Sequence, residues 1–180
     1  MKIIIVGLGV QGNKRKKILN KKDYVASVDP INSKANYKFL SQVPLKDYDS
    51  CFLCVPDKEK RKLIDYCIKN KKHILVEKPL LFKNIKEIND IEKKANKNNV
   101  LIYTAYNHRF EPSFVRMKKL INSGKLGRIY SCRLFYGNGT AKLVKDSFWR
   151  DYNRGVINDL GSHLLDTYFY WFGYKNSNFK

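Results

Sequence analysis

The sequence predicts an α/β fold: a doubly wound parallel sheet over residues 1–118, followed over residues 119–180 by the start of a second α/β domain with an open sheet. Three observations predict it. Apolar runs of strand length alternate with amphipathic stretches through about residue 105, the rhythm of a parallel sheet with helices on both faces. The first run, Lys2-Ile3-Ile4-Ile5-Val6, passes directly into Gly7-Leu8-Gly9-Val10-Gln11-Gly12. A later run, His73-Ile74-Leu75-Val76, ends on Glu77-Lys78-Pro79, which places an acid, a base and a rigid proline at the carboxyl end of a strand, where open parallel sheets bind ligands.

Each element has its own justification. After the first strand and its glycine turn, residues 12–20 are expected to be helical. Tyr24-Val25-Ala26-Ser27-Val28 reads as a second strand that stops at Asp29-Pro30. Residues 31–49 carry no clear period. Residues 50–55 form an apolar strand ended by Pro56-Asp57, and Leu63, Ile64, Cys67 and Ile68 follow at helical spacing. Ile85, Ile88, Ile91 and Ala95 mark one stripe of the next helix, and residues 100–104 complete the strands. A short helix is expected from Phe114 to Ile121, ended by Ser123-Gly124. Beyond it, Arg128 to Tyr136 reads as a long strand, residues 137–153 as an irregular loop, and Val156 to Phe172 as an apolar-rich helix. One strand and one helix do not close a core, and Tyr168-Phe169-Tyr170-Trp171-Phe172 needs partners to pack against. The expectation is therefore an incomplete second domain, its remainder missing or supplied by another chain.

Composition narrows the classes. With 43% hydrophobic and 29% charged residues, the chain suits a globular protein and not a disordered one. Lys+Arg 36 against Asp+Glu 16 gives a formal net charge of +20, which attracts polyanions in general. The excess is mostly scattered lysine and no base-reading motif accompanies it, so no specific nucleic-acid partner is expected. Cys51 and Cys54 have C-x-x-C spacing, but they lie in an apparent buried strand, where an odd separation sends side chains to opposite faces. Core packing is preferred over redox or metal chemistry for this pair; with Cys67 and Cys132 they make no disulfide or zinc framework, and no metal site is predicted. The chain begins on a strand and has no apolar run near the roughly 20 residues that span a bilayer. No membrane partner and a cytoplasmic location are expected.

The motifs carry more specific chemistry. In a glycine turn between strand and helix, the first glycine permits the tight turn, the second lets the backbone approach a pyrophosphate, and the third allows close packing. A structural turn is the rival reading. Position after an N-terminal strand, and Asp29 at the end of the next, favour dinucleotide binding through Gly7, Leu8, Gly9, Val10, Gln11 and Gly12. The Asp29 carboxylate suits ribose hydroxyls and repels a 2′-phosphate, so NAD is preferred to NADP. Arg15 and Lys34 stand close enough in sequence to oppose that preference, although Lys14-Arg15-Lys16-Lys17 reads better as a solvated helix face. Near the end, Asp159-Leu160-Gly161-Ser162-His163 and then Asp166 place His163 between two carboxylates at helical spacing. That arrangement suits a general base, against the alternative of a structural histidine on an apolar helix.

With these motifs the chain resembles the Gfo/Idh/MocA oxidoreductases. The resemblance rests on GLGVQG at 7–12, Asp29, CVPD at 54–57, EKP at 77–79, NHRFEP at 107–112, SGKLGRI at 123–129, FWR at 148–150 and GVINDLGSHLLD at 155–166. It implies NAD(P)-dependent hydride transfer to or from a hydroxyl carbon of a sugar, cyclitol or nucleotide sugar. It implies a Rossmann domain followed by a substrate domain whose open sheet makes a homo-oligomer when complete. Lys78 is then the lysine that meets nicotinamide and substrate hydroxyl, Glu77 and Pro56 help hold the cofactor, His163 is the general base, and Asp159 orients substrate. Asn107 falls near the nicotinamide, and Arg109 and Arg150 near the substrate, with an ordinary salt bridge as the rival role for Arg109. Lys60 departs from the family by replacing a common histidine, and Asn153-Arg154 replaces glycines before Gly155. The alternative function is a truncated, inactive dinucleotide-binding relic or a regulatory protein.

Overall fold

The structure is a computed structural model that describes residues 1–137 and 155–174. The chain forms two compact units, Met1–Ala105 and Tyr106–Lys180, dividing ahead of the 118/119 boundary expected from the sequence. The first contains β1 (Ile3–Val6), α1 (Val10–Ile18), β2 (Tyr24–Val28), β3 (Ser50–Leu53), α2 (Asp57–Lys69), β4 (His73–Val76), α3 (Ile85–Lys97) and β5 (Ile102–Thr104). The second contains a 3₁₀ turn at Asn107–Phe110, α4 (Pro112–Asn122), a π-helical turn at Ile157–Gly161 and α5 (Ser162–Phe172).

The five strands of the first unit form one all-parallel sheet in the order β2-β1-β3-β4-β5. Every residue of β1 is buried, as expected of a strand covered on both faces, and this explains why Ile3-Ile4-Ile5-Val6 is a continuous apolar run with no alternation. Ile4, Cys51, Leu53, Ile64, Cys67 and Val76 are all fully buried at the centre of the core. The chain leaves β1 toward β2, then returns to place β3 on the other side of β1, so the order reverses between β1 and β3. Such a reversal opens a crevice at the carboxyl ends of the two strands.

Register decides what reaches that crevice. Val6 pairs with Val28 and with Leu53, and Leu53 with Val76, so these strands end level with one another. The next residues are tied across the edge in the same order: Gly7 N–H donates to Val28 O at 2.8 Å, Cys54 N–H to Val6 O at 2.7 Å, and Glu77 N–H to Leu53 O at 3.0 Å. Three sequence motifs thereby emerge on one edge of one sheet.

Some elements differ from expectation. Residues 31–49 form two 3₁₀ turns, Leu40–Gln42 and Leu45–Asp47, held by side-chain bonds: Gln42 Oε1 accepts from the Lys38 and Phe39 amides. Ile91 and Ala95 are buried, but Ile85 and Ile88 are exposed. Only the later part of the α3 stripe reaches the core; Glu87 and Asp90 on its earlier turns pair with Arg61 of α2 instead. Helix α4 begins earlier than expected because Pro112 occupies its first turn, where a missing N–H costs nothing. Arg128 to Tyr136 is not a strand: it is almost wholly exposed and lacks regular structure. An alternating sequence supplies propensity only, and no described strand offers it a ladder. Arg150, Asn153, Arg154 and the F-W-R motif at 148–150 lie outside the described residues.

Candidate active site

The glycine turn is built for contact in two places and for openness in one. Gly7 sits at φ +91°, and a Cβ there would lie 2.4 Å from Cys54 O. A Cβ on Gly12 would lie 1.8 Å from Gly7 O, so the first turn of α1 packs directly on the turn that precedes it. A Cβ on Gly9 meets no protein atom within 4 Å. Glycine at that point is not required by the protein's own packing, which fits a backbone that a ligand approaches closely. Val10 is exposed and Gln11 too, and the amides of this turn open the N-terminus of α1, whose own first turn carries no acidic residue.

Asp29 is fastened to the same turn. Its Oδ2 accepts from the Leu8 amide at 2.7 Å, and its Oδ1 from the Ile31 and Asn32 amides at 2.9 Å each. Partial burial raises its pKa, but these three backbone donors outweigh that and hold it below the ordinary carboxylate value. Leu8 O, in turn, accepts from the Asn13 and Asn32 side-chain amides at 2.8 and 3.1 Å. A carboxylate has about four acceptor positions, so Asp29 keeps capacity for a hydroxyl donor while remaining ionised.

At the end of β4, Glu77 and Lys78 are half-buried and Pro79 is buried behind a cis Lys78–Pro79 peptide. Glu77 is engaged by Arg15 of α1, whose Nε and Nη2 each lie 2.7 Å from Oε1. Arg15 is therefore not part of a merely solvated helix face, whereas Lys14, Lys16 and Lys17 are exposed. Pro56 is exposed and caps the start of α2. Lys34 is exposed beyond Asp29. Cys54 beside this turn is no nucleophile: burial and the Glu77 charge push its thiol up to about 12.

The second unit gathers a different group. His163 on α5 is buried, with its ring 4.6 Å from that of His108, 5.7 Å from Tyr106 and 5.6 Å from Tyr136, all edge-on. His108 stacks on Phe114 and its Nδ1 lies 2.5 Å from Glu111 Oε1. Sequence reasoning missed His108 although it read the motif around it; the signal available was its i,i+3 spacing to Glu111. Burial raises the Tyr106 hydroxyl pKa, partly offset by its bond with Ser162.

Asp166 does not serve as a flank to His163. Arg109 takes it in a bidentate pair, with Nε 2.8 Å from Oδ2 and Nη2 2.6 Å from Oδ1, and the Asp166 side chain is 8% exposed. This is the salt-bridge role for Arg109, and it anchors the 107–110 turn to α5. Asp159 is half-buried in the π-helical turn. That turn, Ile157–Gly161, runs directly into α5, which carries His163. Asn107 is exposed, its side-chain amide 3.4 Å from Glu111. Among the described residues no cluster of His, Cys, Asp and Glu could hold a metal ion, and no helix is long and apolar enough to cross a membrane.

Known proteins share this fold. The model of an oxidoreductase family with an NAD-binding Rossmann fold, GFO/IDH/MocA, matches residues 1–106, and that of the GFO/IDH/MocA C-terminal domain matches residues 114–177. The scyllo-inositol 2-dehydrogenase (NADP(+)) IolW of Bacillus subtilis (strain 168) is 30% identical over 110 residues, covering 59% of this chain and 30% of that protein. Glucose-6-phosphate 3-dehydrogenase of the same organism is 30% identical over 106 residues, covering 56% and 30%. The crystal structure of scyllo-inositol dehydrogenase from Lactobacillus casei with bound NAD(H) and scyllo-inositol shares the fold, with a TM-score of 0.77 at 24% identity over 96% of this chain and 56% of that one. This chain thus spans about half the length of the solved structures it matches, and its match to each of these curated relatives covers 30% of that protein.

Proposed function

Because this chain belongs to the GFO/IDH/MocA oxidoreductase family, we propose that it works in an NAD(P)-dependent dehydrogenase acting on a CH–OH group of a sugar, cyclitol or nucleotide sugar. The observation that carries this reading is the glycine turn, closed to side chains by protein at Gly7 and Gly12, open at Gly9, and fastened to Asp29. When bound, the nicotinamide supplies the hydride acceptor or donor. The protein supplies binding, orientation and proton handling.

In the oxidising direction the alcohol carbon loses hydride and its hydroxyl loses a proton, leaving a carbonyl. Lys78 would donate a hydrogen bond to that oxygen. His163 takes the proton, and the Tyr106, His108 and Tyr136 rings that pack around it restrict its orientation and shelter it from water. Asp159 orients substrate. The Arg109–Asp166 pair holds α5, and with it His163, against the 107–110 turn; Arg109 therefore acts through position more than through substrate contact.

NAD is the preferred cofactor. The ionised Asp29 would repel a 2′-phosphate and would accept from ribose hydroxyls, and Arg15, the cation best placed in sequence to offset it, is committed to Glu77. Melting of the 180-residue chain with NADH and NADPH tests this: a ligand at 100-fold over its Kd stabilises by about 2.7 kcal/mol, and NADH should stabilise more than NADPH. Polyol-dependent NADH formation should disappear in Lys78→Ala and His163→Ala while NADH binding persists. No response to either nucleotide in a cooperatively folded sample would reject the reading, and unchanged turnover in either variant would remove that residue from its role.

A further inference from the structure

Helix α2 turns one face into the core through Ile64, Cys67 and Ile68, and Lys60 lies on that same face with its side chain only 4% exposed. A buried ammonium is costly unless its donors are satisfied inside the protein. Here they are. Lys60 Nζ lies 2.6 Å from Glu77 O, 2.6 Å from Pro79 O and 2.6 Å from Asp57 Oδ1. An ammonium has three N–H donors, so each has an acceptor, and one acceptor is a carboxylate that compensates the charge.

The two carbonyls belong to the residues immediately before and after Lys78. We propose that Lys60 is a positioning residue whose buried ammonium, in the manner of a bound cation, clamps the backbone on both sides of Lys78 and thereby serves the nicotinamide end of the cofactor site specifically. The inference rests on the dinucleotide reading above. A residue needed only for folding would act on the whole site, and the structure separates the two roles. The glycine turn and Asp29 are held by Leu8, Asn13, Ile31 and Asn32, whereas the ammonium of Lys60 bonds Glu77, Pro79 and Asp57. The adenosine half of the site therefore stands without the clamp, while the turn that carries Lys78 does not.

NADH and ADP-ribose distinguish the halves, because ADP-ribose lacks the nicotinamide. Titration calorimetry on the 180-residue chain, wild type and Lys60→Met, is the test, with cooperative melting as the control for folding. Lys60→Met keeps the length of the side chain and removes all three donors. NADH affinity should fall about tenfold, a loss of about 1.4 kcal/mol, with ADP-ribose affinity unchanged within about twofold. Lys60→His, which retains a ring donor, should lose less NADH affinity and again spare ADP-ribose; it replaces Lys60→Met in the comparison if the latter does not melt cooperatively. Equal weakening of both ligands, or no weakening of NADH in a folded variant, overturns the clamp. Wild-type protein that binds neither ligand overturns the dinucleotide reading and this inference with it, whereas wild-type binding of both with unchanged variants overturns the clamp alone.

Discussion

Alanine at Gly12 and alanine at Gly9 should have opposite consequences, although the two substitutions are chemically identical and three residues apart. At Gly12 the added carbon would lie 1.8 Å from Gly7 O and 2.9 Å from Gly7 C. Ordinary contact begins at 3.4 Å, so the helix start and the turn must separate by about 1.6 Å in a region packed as densely as a crystal. The obstacle is backbone, not the yielding end of a side chain, and Gly7 cannot retreat because a Cβ-sized space behind it is already filled by Cys54 O. Overpacking of this kind costs about 3 kcal/mol or more, which for a unit of this size lowers Tm by roughly 12–24 °C. At Gly9 the carbon meets no atom within 4 Å, so Gly9→Ala should melt within about 3 °C of wild type, allowing for the small entropic gain of replacing glycine. It should nevertheless weaken NADH binding about tenfold or more, by holding the pyrophosphate off the backbone. Paired melts with and without NADH read both effects. A Gly12→Ala protein that melts like wild type would refute the packing argument; a Gly9→Ala protein that binds NADH unchanged would refute the assignment of the open position to the ligand.

Further predictions follow from single contacts. Since the Asp29 carboxyl titrates below its ordinary value in the folded protein, its stabilisation is present above its unfolded pKa, about 3.9, and is lost as pH falls through the lower folded value. The Tm difference between wild type and Asp29→Asn should thus be constant from neutral pH to about 5 and shrink only below about 4; shrinkage at pH 6 would contradict it. Arg109→Met should strand the nearly buried Asp166 carboxylate and cost the second unit about 3 kcal/mol in urea unfolding followed by tryptophan fluorescence, with a loss under about 0.5 kcal/mol marking the pair as expendable. Of the four free cysteines only Cys132 is exposed. The Cys51 thiol is pushed well up by its bond to Cys67 and by burial, and Cys54 to about 12, so a thiol reagent near pH 8 should label one site in the native protein, and Cys132→Ser should abolish that labelling.

The first unit was legible because a sheet buried on both faces writes its strands as unbroken apolar runs, and because Gly, Pro and Asp punctuate their ends. The candidate site was legible where its residues lie at strand ends, as with Gly7, Asp29 and Glu77. It was less legible where function depends on contacts distant in sequence. Nothing in the local pattern announces that Arg15 reaches Glu77 or that Arg109 takes Asp166 from His163. Lys60 did leave a trace: it falls four residues before Ile64 and seven before Cys67, on the inward stripe of α2, and a charged residue at a core position implies a buried partner. The strand expected at Arg128 to Tyr136 failed for the reverse reason, since alternation states what a segment can do and only a neighbouring strand decides whether it does.

Glu77 is gripped twice, its carboxylate by Arg15 of α1 and its carbonyl by Lys60 of α2. The three letters Glu-Lys-Pro are therefore not a portable cassette. Grafted onto another parallel sheet they would carry Lys78 without the two distant cations that hold its neighbour Glu77, and an engineer moving this turn between scaffolds would have to move positions 15, 57 and 60 along with 77–79.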